Sequence, residues 1–156
     1  MESCNPSFRA MVLFGLVVLC AWTPINAHHS FNFFFDTSQW TTIEGVVTEV
    51  HFQNPHVSLE LEVTNEQGQT DVWAVETNHR AGLEREVAGG DAWLPNTVQV
   101  GDIVIAEGHP TRKEGSTAMH GLGIQRPSDG WKWAWRLSSL PAERRAEYEG
   151  GEAAEE

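Results

Sequence analysis

The chain has 156 residues, 40% of them hydrophobic, and a formal net charge of -12 at pH 7. Both of its cysteines, Cys4 and Cys20, lie near the amino terminus. The rest of the chain therefore has no disulfide, no thiolate metal site and no thiol nucleophile. An acidic surface repels phosphate backbones, so nucleic acid is expected to be excluded as a partner.

Arg9 precedes an apolar run from Met11 to Trp22, Thr23-Pro24 breaks it, and Ile25-Asn26-Ala27 follows. That is the layout of a cleavable secretory signal over residues 1–27, with the mature chain starting at His28. The run falls short of the roughly 20 residues a membrane-crossing helix needs; an uncleaved anchor is the alternative. Leu19 before Cys20 argues against a lipoprotein signal. No later segment is apolar for long enough to span a membrane, and the expected location is periplasmic or secreted. Removing the signal leaves material for one ordinary domain, assigned to residues 28–140. Residues 141–156 are rich in glutamate, with Arg144 and Arg145 in opposition, and are expected to form an acidic disordered tail.

Within the domain, His28 to Asp36 is aromatic-rich, and Thr41 to Phe52 is dense in β-branched residues. Gly45 inside that strand signals a bend or bulge. After Asn54-Pro55 the run Val57 to Thr64 alternates strictly. Val57, Leu59, Leu61 and Val63 face a core, and Ser58, Glu60, Glu62 and Thr64 face water. Asn65 to Gln69 is turn chemistry, and Asp71 to Glu76 is the second arm of a hairpin. Thr77 or Asn78 can cap a short helix from Arg80 to Ala88, stopped by Gly89-Gly90. Trp93 to Asn96 is irregular, Ile103 to Gly108 is a strand, Arg112 to Gly115 is a polar turn, and Thr117 to Gln125 is a closing strand. Three strands, a short helix and two strands is the order of a five-stranded oligonucleotide/oligosaccharide-binding (OB) barrel, all-β apart from the helix between strands 3 and 4. A bent first strand suits closure, whereas a β-sandwich wants about seven strands.

Several of these segments together resemble a family of small exported bacterial proteins, catalogued as domain of unknown function, number 6152. The resemblance rests on His28-His29-Ser30-Phe31 after an Ala-ending signal, Asp36, Gly45-Val46-Val47 and Asn54-Pro55-His56. It continues through Trp73 to Val87, Gly101-Asp102 and Pro110 to Gly115, covering roughly residues 28–125. Asn78-His79-Arg80 stands where members carry a Ser-Pro-Asn type cap, and the tryptophan-rich segment after Asp129 looks like an addition. The resemblance implies architecture and export, into a Gram-negative periplasm, and no chemistry.

Without cysteine, binding of a soft or borderline metal rests on histidine. Cleavage after Ala27 would give His28 a free amine beside its ring Nδ1. His29 or His56 would then complete a nitrogen set suited to copper. The plainer alternative is that His28 and His29 are an exposed terminus. His51, Asn54 and His56 surround Pro55, whose missing N–H interrupts a strand ladder; such a corner either aims a ring into a cavity or is a simple turn. Glu76 shares a face with Val72 and Ala74 and either points inward or belongs to a solvated helix entry. His79, His109 and His120 are scattered and are expected at the surface. Trp131, Trp133 and Trp135 at alternate positions offer a stacking platform for a ligand, or else an aromatic lid over the barrel.

No nucleophile elbow, phosphate loop, zinc-protease helix or dinucleotide fingerprint is present, so the chain is not expected to be an enzyme. The expected role is an exported binding module, with a copper site at His28, His29 and His56 as its sharpest form. Its expected partners are an unknown small ligand or an envelope protein meeting the tryptophan-rich surface.

Overall fold

The computed structural model describes residues 31–85 and 91–149. A one-turn helix α1 (Phe31–Phe34) leads into strand β1 (Thr41–His51). Strands β2 (Ser58–Thr64) and β3 (Thr70–Glu76) precede a second short helix α2 (Arg80–Leu83). Strands β4 (Ile103–Pro110), β5 (Ala118–Arg126) and β6 (Trp131–Ala134) follow, then a 3-10 turn at Leu137–Ser139 and helix α3 (Ala142–Glu149). No helix among the described residues is long and apolar enough to cross a membrane.

Strand β1 pairs antiparallel with both β2 and β4, β2 with β3, and β4 with β5. The cylinder closes where Ala74–Glu76 of β3 runs parallel to Ala118–His120 of β5. This is the five-stranded OB-like barrel, with α2 between β3 and β4. The remaining half of β5, Gly123–Arg126, pairs with β6 and forms a sheet extension beyond the closed barrel.

The alternation in β2 does what its pattern requires. Val57, Leu59 and Leu61 are fully buried while Glu62 faces solvent. In β1, Ile43, Gly45 and Val47 point inward, and the register with β2 shifts between Val47 and Glu49. A Cβ at Gly45 would lie 2.7 Å from the Glu62 carbonyl oxygen, so the close approach of β2 to β1 at this position depends on glycine. The barrel interior is filled by these residues together with Val75, Met119, Ile124 and Leu83, and is plugged by Trp93, Trp131 and Trp133.

Two expectations need correction, and the choice at Glu76 is decided. Helix α2 is a single described turn with His79 at its N-cap, not Thr77 or Asn78; residues 86–90 lie outside the described residues. Thr77 is buried and its Oγ1 donates instead to the Val57 carbonyl at 2.8 Å, because β3 presses it against β2. Glu76 does not point inward. Val72 and Ala74 on its face are exposed, and Val75 is the residue buried in the barrel.

The stretch from Ala142 to Glu149 is a helix, not disordered chain. Its Tyr148 is 2% exposed and packs in a second apolar cluster with Leu122, Ala134 and Leu140. Composition conceals this, because one buried tyrosine can anchor a turn of helix whose other residues are charged. The described part of the segment beyond residue 140 therefore belongs to the folded domain; residues 150–156 lie outside the described residues.

Candidate functional site

The parallel closure of the barrel gathers histidines that are far apart in the chain. His120 on β5 is the direct cross-strand partner of His109 on β4 and of Glu76 on β3. Directly opposed residues on paired strands project from the same face. His109, His120 and Glu76 thus form one row across the outside of the β4–β5–β3 seam. His56, from the corner between β1 and β2, joins the row where its Nδ1 meets Glu76 Oε1 at 2.5 Å.

The N-terminal turn lies over this row. The Phe31 ring packs edge-on against His120, with centroids 4.6 Å apart, and reaches His109 at 6.2 Å. Phe35 lies 5.5 Å from His120, and Trp40 5.3 Å from His109. The turn is held down through the backbone. Asp36 N donates to the Pro110 carbonyl at 2.8 Å, and Arg112 N donates to the Phe34 carbonyl at 2.8 Å. Arg112 also pairs with Asp36, whose carboxyl is held below the usual range, first by hydrogen bonds from Ser38 and then by the guanidinium.

The three rings differ in their hydrogen bonding. His109 Nδ1 is 2.8 Å from the Gln39 carbonyl; a carbonyl only accepts, so Nδ1 carries the proton and Nε2 has a lone pair. His56 Nδ1 faces a carboxylate oxygen, which favours the same tautomer. His120 is only 7% exposed, and its Nδ1 has no hydrogen-bond partner among the described residues. Burial, then the neighbouring charges of His56 and His109, pull the His120 pKa down to about 4, so it is neutral at pH 7. Among the described residues, no three acidic, histidine or cysteine side chains already converge on a point that would hold a metal ion.

Of the residues singled out from sequence, His56 lies in this row. His51 does not: its exposed ring pairs with Glu49 at 3.0 Å. Asn54 is exposed and precedes Pro55 through a cis peptide bond. His28 and His29 lie outside the described residues. Trp131 and Trp133 form no stacking platform, since they are 8% and 1% exposed and pack edge-on against Trp93 in the core. They face inward because β6 pairs with β5 and turns its alternate residues onto the core, which also removes Trp131 and Trp133 from the expected tryptophan contact surface. Trp135 follows the strand and is half-buried against His79.

Sequence reasoning passed over His109 and His120, expecting both at the surface. Their partnership depends on the β4–β5 register, which shifts at a bulge between Glu107 and Gly108 and has no local signature. It also passed over Glu107, which is fully buried on β4 under α3. Glu107 Oε2 accepts from the Tyr148 hydroxyl at 2.9 Å, and Oε1 accepts from Arg144 Nη2 and, at 3.5 Å, from Thr42.

The model of a family of unknown function, DUF6152, matches residues 16–122. The chain belongs to DUF6152. Strand β6, the 3-10 turn and α3 lie beyond the matched part. No curated protein matches this DUF6152 member. Among solved structures it is similar to the mitochondrial single-stranded DNA-binding protein Rim1 of S. cerevisiae. The identity is 15% and the TM-score 0.42, over 57% of this chain and 94% of the other. It is also similar to a small single-stranded DNA-binding protein of Streptomyces coelicolor, at 15% identity and a TM-score of 0.37, over 56% and 90% of the two chains. Both neighbours are described as DNA-binding, which runs against the expectation that nucleic acid is excluded as a partner. Net charge sums over the whole chain, whereas binding responds to the field over one face, so the acidic balance does not by itself exclude such a partner.

Proposed function

We propose that this DUF6152 member is an exported binding module that takes a transition-metal ion at His56, with Cu(II) the first ion to test. The observation that carries the reading is the 2.5 Å contact of His56 Nδ1 with Glu76. A metal-ligating histidine almost always gives its other ring nitrogen to a carboxylate or carbonyl, which fixes the tautomer and aims the free nitrogen. His56 has that support, and its ring is open to solvent on the outside of the barrel. The sequence adds two histidines at the expected mature terminus, where the amine and ring of His28 can chelate one ion. An all-nitrogen set without thiolate suits Cu(II) and Ni(II). Export is supported by the signal layout of residues 1–27, and periplasmic placement is part of the same proposal.

The test is titration of the protein recovered from the periplasm, its first residue established by intact mass, with Cu(II) against a competing chelator. One ion is expected to bind per chain. His56→Ala is expected to weaken binding at least tenfold and Glu76→Gln by about tenfold, as loss of an outer-shell partner commonly does. Affinity unchanged in His56→Ala and His28→Ala, or no binding by the wild type, overturns the proposal.

A further inference from the structure

We infer that His109 and His120 form a cross-strand pair of metal ligands beneath the Phe31–Phe35 turn, the inner part of the site whose outer member is His56. This rests on the metal-binding reading above and adds two ligands that it does not need.

Three observations carry it. First, the two residues are directly opposed on antiparallel strands. Opposed Cβ atoms stand about 4.5–5.5 Å apart on one face, so both imidazoles can reach a single ion at the ~2.0–2.1 Å of a metal–nitrogen bond. Second, the proton on the His109 ring is placed as a metal requires. His109 Nδ1–H is committed to the Gln39 carbonyl, leaving Nε2 as donor. Third, His120 Nδ1 is buried with no partner among the described residues. An imidazole nitrogen removed from water without a hydrogen bond is costly, and an ion at that lone pair is one of the few things that repays it.

The surroundings set the class of ion. Imidazole nitrogens enclosed by Phe31, Phe35 and Trp40 favour borderline ions such as Cu(II) or Zn(II) over calcium or magnesium, which want oxygen. Two protein nitrogens leave coordination positions open. His56 pairs with Glu76, the residue opposite His120 on β3, so the row His109–His120–Glu76–His56 leads from the covered pair to the solvent-facing ring.

Cu(II) and Zn(II) titrations of the wild type, His120→Phe, His109→Gln and His56→Ala separate the possibilities. Phenylalanine fills the His120 volume without a lone pair, and glutamine at 109 can still donate to Gln39. The inference expects His120→Phe and His109→Gln each to weaken binding at least tenfold while melting no lower than the wild type by more than a few degrees. Wild-type affinity in those two variants together with loss in His56→Ala overturns the inference and leaves the metal-binding reading standing. Absence of binding by the wild type overturns both. Should His120→Phe not fold, side-chain 15N spectra of the wild type decide: the His120 Nδ1 resonance must shift on adding Zn(II), and an unmoved resonance in a saturated sample overturns the inference.

Discussion

Two polar side chains are buried on the outside of the same strand pair, and they are treated in opposite ways. Glu107 on β4 lies under the C-terminal helix with Arg144, Tyr148 and Thr42 all directed at its carboxylate. His120 on β5 lies under the N-terminal turn, surrounded by rings, with its Nδ1 unpaired among the described residues. A buried polar group that is fully satisfied helps to specify one packing, whereas one left unsatisfied costs stability and calls for another explanation. The difference separates the two covers. The C-terminal helix is a structural clasp, and glycine at position 123 is what lets the Tyr148 ring approach, since a Cβ there would sit 2.9 Å from Cζ. The N-terminal turn covers a group whose chemistry the fold leaves unused.

Removing one side of the clasp should have the largest effect. Arg144→Ala strands a fully buried carboxylate, and because Arg144 itself is partly solvated the expected loss is about 2–3 kcal/mol in urea denaturation. The double variant Glu107→Met/Arg144→Met should recover most of it; a double variant as unstable as the single would show that α3 docks without the ion pair.

The histidine gives an acid signature of similar size. Its pKa is lowered to about 4 from 6.5. The unfolded chain therefore binds a proton between those values that the folded chain refuses, and stability falls as pH drops through that window. The loss approaches about 3 kcal/mol by pH 4 and levels off below it. His120→Phe should abolish this component; a slope between pH 6.5 and 4 unchanged in the variant would place its origin elsewhere.

Tyr148→Phe keeps the ring and deletes one bond to Glu107, at a cost of about 1 kcal/mol. Burial raises the Tyr148 pKa, so its phenol should resist alkaline titration while the helix stays docked, and ultraviolet difference spectra would register it. The smallest expected change is His120→Phe at pH 7. Without metal it should leave stability unchanged or raise it by up to about 1 kcal/mol, because it deletes an unsatisfied group rather than a bond. A loss of several kcal/mol there would equate His120 with Glu107 and end the contrast.

Much of the barrel was legible from local pattern. The alternation of Val57 to Thr64, the turn at Asn65–Gln69 and the β-branched run of β1 each carry their signal within a few residues. The count of barrel strands and the place of the short helix followed from these. The site was legible in one ring only. His56 drew notice because it follows Pro55, but its partner Glu76 was read as inward or as part of a helix entry. The α3 clasp was missed because a run of glutamates and arginines has the composition of a solvated tail, while its anchors, Leu140 and Tyr148, are single residues.

By itself, the order of residues determined which stretches become strands and which of their faces turn inward, because side-chain alternation is a property of consecutive positions. Tertiary structure alone decided that His109, His120, Glu76 and His56 meet, and that Arg144 reaches Glu107. Those meetings depend on the bulge in β4 and on the parallel contact of β3 with β5, which joins segments over forty residues apart. A strand's own sequence specifies its faces but carries little information about which residue will lie opposite, and in this protein the chemistry lies in the opposite residues.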